Sequence, residues 1–276
     1  MELTRQQLDF FDTFGYLAFP GLMSDVIDNI IDDFEAIWLD HGGGHHGQLH
    51  DGKQRSCIVP FIDQHPRLCA LLDDERILGI LTSLLGEDFN YSGSDGNYYA
   101  GDTGWHSDGW GKGVQFVKIA FYLDTLTRDT GCLRVIPGSH HLEDQFANQV
   151  QNSIKTSAEV WDISGPDIPC KALETAPGDL VCFNHNLKHA AFGGSSRRRM
   201  FTINCSERFP NDRLDDLRRN IAGAARFWND SLYGPVMIET ADPKRMVHLE
   251  QGIEHSGHLP ELVRKAMAEM PEPSRG

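Results

Sequence analysis

The run Arg198-Arg199-Met200-Phe201-Thr202-Ile203-Asn204-Cys205 reads as a β-strand with two unlike faces. Side chains alternate along a strand, so Arg199, Phe201, Ile203 and Cys205 share a more apolar face, suited to packing beneath helices. Arg198, Met200, Thr202 and Asn204 share a more polar one, suited to lining a ligand cavity. Upstream, residues 89–99, 114–123, 131–136, 170–175 and 179–184 have the same short, β-rich texture, separated by Gly, Asp, Pro and Ser. That spacing predicts a sandwich or barrel, not alternating βαβ units. The expected fold class is an all-β core with peripheral helices. It forms one domain of three parts: N-terminal helices over 4–86, a β core over about 89–206, and a C-terminal helical extension over 211–268.

The helical flanks have their own signals. Thr4 and Gln7 fit a capping box, Leu8, Phe11 and Phe14 follow at helical spacing, and Gly15 ends the helix. Residues 16–20 read as a short strand. Ser24 is placed to cap a second helix carrying Val26, Ile27, Ile30, Ile31, Phe34 and Ile37, and a third runs from Leu68 to Leu85. The Gly/His-rich stretch holding His41, His45, His46 and His50 is expected to be a flexible loop, and the Pro/Glu/Ser/Arg tail to be loose.

Composition narrows the partners. The chain has 276 residues, 25 Lys+Arg and 40 Asp+Glu, giving a formal net charge of −15. A chain of this size can bury roughly three quarters of its unfolded surface without disulfide support. The acidic balance argues against a nucleic-acid binder and against a membrane-surface protein, since both need clustered Lys/Arg. Small molecules remain as partners, and a homo-oligomer is compatible with the sequence. No apolar run approaches the ~20 residues of a membrane span, and no signal peptide is visible. Six scattered cysteines without a CxxC pair read as buried thiols, so the expected compartment is the cytoplasm.

Chemistry concentrates at Gly104-Trp105-His106-Ser107-Asp108-Gly109-Trp110. In an extended strand His106 and Asp108 point to one side and can offer an imidazole nitrogen and a carboxylate oxygen to one ion. His189 follows the strand-like run Pro177-Gly178-Asp179-Leu180-Val181-Cys182-Phe183. Two histidines and one carboxylate leave coordination positions open, the facial arrangement of non-haem Fe(II) oxygenases. Arg197-Arg198-Arg199 comes shortly after, where an always-charged fork could grip the distal carboxylate of a 2-oxo acid. The alternation favours Arg198, with Arg199 in reserve.

The sequence resembles the phytanoyl-CoA dioxygenase-like Fe(II)/2-oxoglutarate oxygenases, a group that includes ectoine hydroxylase. The resemblance covers nearly all of residues 4–206 and is carried by the N-terminal helix and strand and by Trp105-His106-Ser107-Asp108. Its most specific run is Gly131-Cys132-Leu133-Arg134-Val135-Ile136-Pro137-Gly138-Ser139-His140. It implies a double-stranded β-helix (jelly roll, cupin-like), with iron held by His106, Asp108 and His189 and 2-oxoglutarate by the arginine of the last core strand. By position it assigns Asn97 a contact to 2-oxoglutarate, and it selects His189 over His185, which then reads as a loop histidine. Halogenating relatives lack the carboxylate ligand, so Asp108 favours hydroxylation. The implied reaction consumes O2 and 2-oxoglutarate, releases succinate and CO2, and oxidises a C–H bond.

For the substrate, Arg55 and Lys118 are candidates to meet an anionic group. Tyr99, Trp105 and Trp110 are candidates for an aromatic wall, and His140 and His141 read as structural. A cavity with Arg55 and Lys118 predicts a small polar or anionic substrate. Two other readings are a cupin-like metal-dependent isomerase or hydrolase, and a catalytically silent binding protein on the same fold.

Overall fold

Alternating runs can bury one face only if a second layer covers it, and the chain supplies two such layers. The computed structural model describes residues Met1–Gly276. Its strands are β1 (Tyr16–Phe19), β2 (Ser56–Ile58), β3 (Asn90–Tyr99), β4 (Thr103–His106), β5 (Phe116–Tyr122), β6 (Leu133–Val135), β7 (Lys171–Leu173), β8 (Leu180–Asn184), β9 (His189–Ala191) and β10 (Arg198–Ser206). The larger sheet has the order β1-β8-β5-β10-β3-β2 and the smaller β4-β9-β6-β7. Every pairing is antiparallel. Two facing antiparallel sheets wound this way form the jelly roll.

Strand β10 lies between β5 and β3, with Phe201 opposite Phe121 and Thr202 opposite both Ala120 and Asp95. Phe201, Ile203 and Cys205 are fully buried in the largest apolar cluster, together with Ile30, Phe34 and Trp38 of the helix Ile27–Asp40 and Ile77, Ile80 and Leu81 of the helix Glu75–Leu85. The rings of Phe121 and Phe201 stack with centroids 4.5 Å apart. The opposite face of the sheet, carrying Arg198, Met200, Thr202 and Asn204, is left to the cavity.

At the N-terminus the helix Arg5–Phe14 has the Thr4/Gln7 capping box and ends on Gly15 at φ 83°, a conformation that favours glycine. Four local expectations need correction. Ser24 is not a cap: the second helix begins at Ile27 with no side-chain cap, because the Ser24 amide closes a turn onto the Gly21 carbonyl. The third helix is not continuous. A short turn, Pro66–Cys69, is separated from Glu75–Leu85, where Asp74 caps by accepting from the Arg76 amide and Asp73 pairs with the buried Arg245.

The His/Gly-rich loop is fixed. His45 is buried between the carbonyls of Cys57 (3.1 Å) and Pro273 (2.9 Å), and His50 bridges Ser56 Oγ and the Ser196 carbonyl. The tail is packed as well. Besides the His45–Pro273 contact, the Ser274 amide donates to the Arg226 carbonyl and Arg275 to the Arg55 carbonyl. These polar contacts were invisible as patterns because they join distant segments. All six cysteines are free thiols. No helix is long and apolar enough to cross a membrane.

Candidate active site

The pairing of β4 with β9 sets His106 directly opposite His189, with ring centroids 4.2 Å apart. Each ring is oriented through Nδ1, which lies 2.8 Å from the Gly104 carbonyl in His106 and 2.9 Å from the Leu187 carbonyl in His189. An Nδ1–H donated to a carbonyl leaves Nε2 as a lone-pair donor, the tautomer a metal requires. Asp108 stands 3.9 Å from His106 Nε2 and 3.7 Å from His189 Nε2 through its two oxygens. One ligand atom from each of the three residues lies within 4.8 Å of the others, inside the reach of a single ion.

Charge at this cluster is controlled by Lys118, which points inward from β5. Its Nζ is 2.8 Å from Asp108 Oδ2, and both side chains are largely enclosed, 15% and 21% exposed. Burial pushes the Asp108 carboxyl up, but Lys118, His189 and His185 together outweigh it and hold Asp108 ionised far below the usual carboxylate range. Burial takes His189 down to about 3 against the opposing pull of Asp108. The imidazole is therefore neutral at ordinary pH, as a ligand must be.

A cavity of about 740 Å³ opens from the triad between the sheets. At one end Arg198 is 3% exposed, sits 5.1 Å over the Tyr99 ring, and has Nε and Nη1 buried without a hydrogen-bond partner. Gly131 and Gly194 make room for it, since a Cβ at either would collide with the guanidinium. Arg199 faces the other way and is paired with Asp124 at 2.6 Å and Glu35 at 3.0 Å. Those partners lie outside the cavity, and of the two arginines Arg198 is the one that faces it.

Arg55 lies 4.5 Å over the same Tyr99 ring and donates to Asn97 Oδ1 (2.7 Å) and Asp95 Oδ2 (3.1 Å). Asn97 is fully buried with its Nδ2 on Asp95, so both ends of its amide are engaged by protein groups and it does not line the cavity. Thr202 donates to the remaining Asp95 oxygen. Of the aromatic candidates, Tyr99 lines the main cavity. Trp105 packs outside with Ile136, Ile154 and Phe192 and donates to the Gly165 carbonyl, while Trp110 lines a second, smaller pocket that also touches His106 and Asp108. His140 and His141 anchor the N-terminal helix through the carbonyls of Asp12 and Thr13.

Three cavity features escape a reading of the sequence. His185, placed in a loop, lines the cavity with Nε2 buried and unpartnered, and burial lowers it to about 4. Asp95 becomes notable only because Arg55 is brought to it across β2 and β3. The C-terminal segment contributes Arg219, Arg226, Phe227 and Gly276 to the mouth, so the least legible part of the chain covers the site. Only the inward alternation of β3, which puts Asp95 on the face of Tyr99, could have signalled any of them.

Comparison with known proteins gives a consistent picture. A family model described as phytanoyl-CoA dioxygenase matches residues 11–201. A 2-aminoethylphosphonate dioxygenase from an uncultured bacterium is 28% identical over 163 residues, which are 54% of this chain and 59% of that protein. The chain thus matches somewhat over half the length of this curated relative. Among solved structures, a non-haem alpha-ketoglutarate-dependent carbocyclase from nogalamycin biosynthesis, SnoK, superposes with a TM-score of 0.58 at 22% identity, covering 74% of this chain and 84% of that one. EctD from S. alaskensis superposes with a TM-score of 0.57 at 18% identity, covering 74% and 77%. At these identities the structural likeness establishes the fold.

Proposed function

The chain belongs to the phytanoyl-CoA dioxygenase family, and from that premise we propose that it is an Fe(II)- and 2-oxoglutarate-dependent dioxygenase hydroxylating a small polar or anionic molecule. The observation that carries this reading is the coexistence, in one cavity, of an open His106/Asp108/His189 cluster and a buried guanidinium with no anion. Two imidazoles and a carboxylate form the donor set suited to non-haem Fe(II). A buried guanidinium left without an anion is costly, so the environment of Arg198 asks for a carboxylate ligand.

In this reading His106, Asp108 and His189 would hold the iron, and Arg198 would bind the distal carboxylate of 2-oxoglutarate through its fork. Iron and 2-oxoglutarate together would supply the oxidising chemistry for O2 activation, and the overall balance converts substrate C–H, 2-oxoglutarate and O2 into C–OH, succinate and CO2. Lys118 keeps Asp108 ionised and limits its rotation. Tyr99 gives the cosubstrate end an apolar floor, and the residues from 219–227 and the tail restrict water at the mouth. Arg55 and Lys118 are already paired, so they give the substrate region polarity while the free charge lies elsewhere.

The test is anaerobic addition of Fe(II) and 2-oxoglutarate, followed by succinate release under air. A visible metal-to-ligand charge-transfer band is expected, then substrate-stimulated succinate with a product heavier by one oxygen. The panel would contain phosphonates, amino-acid derivatives, osmolytes and acyl thioesters, beginning with 2-aminoethylphosphonate, the compound in the relative's name. No band would overturn the iron and cosubstrate assignment. A band with turnover of substrate but no succinate would favour an isomerase or hydrolase.

A further inference from the structure

The buried cations around the triad differ in what compensates them. Arg55 has Asp95 and Lys118 has Asp108. Arg134, on the far side of the smaller sheet, donates to two backbone carbonyls, those of Pro166 and Arg128. Arg198 is open to the cosubstrate. Lys188 is 1% exposed, forms no ion pair and, unlike Arg134, borders a cavity beside the triad.

Lys188 immediately precedes the ligand His189, so its side chain leaves the opposite face of the strand. The backbone there is fixed, with the Lys188 amide donating to Ser139 Oγ and its carbonyl accepting from Ile136. The ammonium donates to Ser107 Oγ at 2.6 Å and lies 4.1 Å from the Trp110 ring. It borders a second cavity of about 240 Å³, also lined by His106, Asp108, Trp110, Gln151 and Lys155. The other charged side chain brought to this pocket from outside the triad is also a cation, Lys155. A hydroxyl and a π-face do not balance a fully buried ammonium, and a neutral side chain of equal length would brace Ser107 at less cost.

We propose that this pocket is an anion subsite for the substrate, in which Lys188, with Lys155 and Gln151, takes a compact tetrahedral oxyanion such as a phosphonate or phosphate group. The proposal rests on the oxygenase reading above, because the pocket shares His106 and Asp108 with the main cavity and would hold the anion beside the triad. Lysine suits this ligand: it is a point charge with rotatable donors, whereas the planar fork of Arg198 matches a carboxylate. Arg198 and Lys188, the two buried cations without an ion pair that face cavities beside the triad, thereby divide two anions between them.

The experiment uses the full chain loaded with Ni(II) and saturating 2-oxoglutarate, so that Arg198 is occupied, and titrates methylphosphonate by calorimetry. Methylphosphonate is expected to bind, with acetate at least about tenfold weaker. Lys188→Met is expected to lose about tenfold or more in methylphosphonate affinity while its 2-oxoglutarate titration is unchanged. Undiminished binding in Lys188→Met, which would indicate attachment through the metal, or no binding to the parent chain would overturn the proposal. Acetate binding better than methylphosphonate would overturn the tetrahedral class. Should Lys188→Met fail to bind 2-oxoglutarate, Lys155→Met at the exposed edge carries the test, with a two- to threefold loss expected and no loss counting against the subsite. Failure of the oxygenase reading would appear separately, as absence of 2-oxoglutarate binding in the parent chain.

Discussion

Tyr99 lies between two arginines that solve the same problem differently. Arg55 and Arg198 place their guanidinium carbons 4.5 and 5.1 Å from its ring centre. Arg55 is satisfied by Asp95 and Asn97, whereas Arg198 has two buried nitrogens with no partner. A paired cation of this kind belongs to the scaffold. An unpaired one stores an unmet electrostatic demand that a ligand can meet, so the contrast separates positioning from binding within a single cavity.

The largest effect that could break this contrast is on stability at the paired end. Arg55→Met leaves Asp95 enclosed with only neutral donors and the more distant Lys118, and is expected to cost about 3 kcal/mol, at the low end for breaking an enclosed pair because both groups retain some exposure. The melting temperature should fall by roughly 6–12 °C. Adding Asp95→Asn to the same chain should recover more than half of the loss in calorimetric scans. If Arg55→Met melts like the parent, the pair is not part of the scaffold.

At the unpaired end the effect should appear in binding and not in stability. Arg198→Met is expected to weaken 2-oxoglutarate about a hundredfold, measured by titrating the charge-transfer band, because a bidentate charge-assisted contact is lost. Its melting temperature should equal or exceed that of the parent, since the substitution removes a buried charge without orphaning an anion. Arg198→Lys restores the charge without the fork and should recover only part of the affinity. A destabilised Arg198→Met with unchanged cosubstrate affinity would reverse the roles of the two arginines.

How far the sequence foretold these roles follows from the range of each interaction. The alternation of β10 is local, so the cavity-facing set Arg198, Met200, Thr202 and Asn204 could be separated from Phe201, Ile203 and Cys205 by period alone. The closeness of His106 and His189 was legible only through the family resemblance, because β4 and β9 are joined by register and not by spacing. The Arg55–Asp95 pair and the grip of His45 on Pro273 join segments far apart in the chain, and neither leaves a periodic trace. Lys188 was hidden for another reason. The ligand pattern at His189 marks the inward face, while Lys188 beside it borders the second pocket.

Histidine offers a third solution that arginine lacks, which is to give up the charge, and His140 shows it away from the His106/Asp108/His189 cluster. Its Nε2 lies 3.0 Å from the Asp12 carbonyl, while Nδ1 is buried without a partner against Gly15. Protonation would add an N–H there with nothing to accept it, and burial accordingly lowers the group to about 4, with His141 adding to the effect. The unfolded chain then takes up the proton first as pH falls from the ordinary value near 6.5. The contribution is complete above that value and is lost as pH falls towards 4. Urea midpoints of the metal-free protein should therefore decline over this window, and His140→Gln, whose amide can still donate to Asp12, should decline less steeply than the parent. This is the smallest of the three effects, because the site is partly exposed and carries one proton. Equal slopes for the two proteins would mean that His140 tolerates its charge, and that the need for a partner applies to the cavity alone.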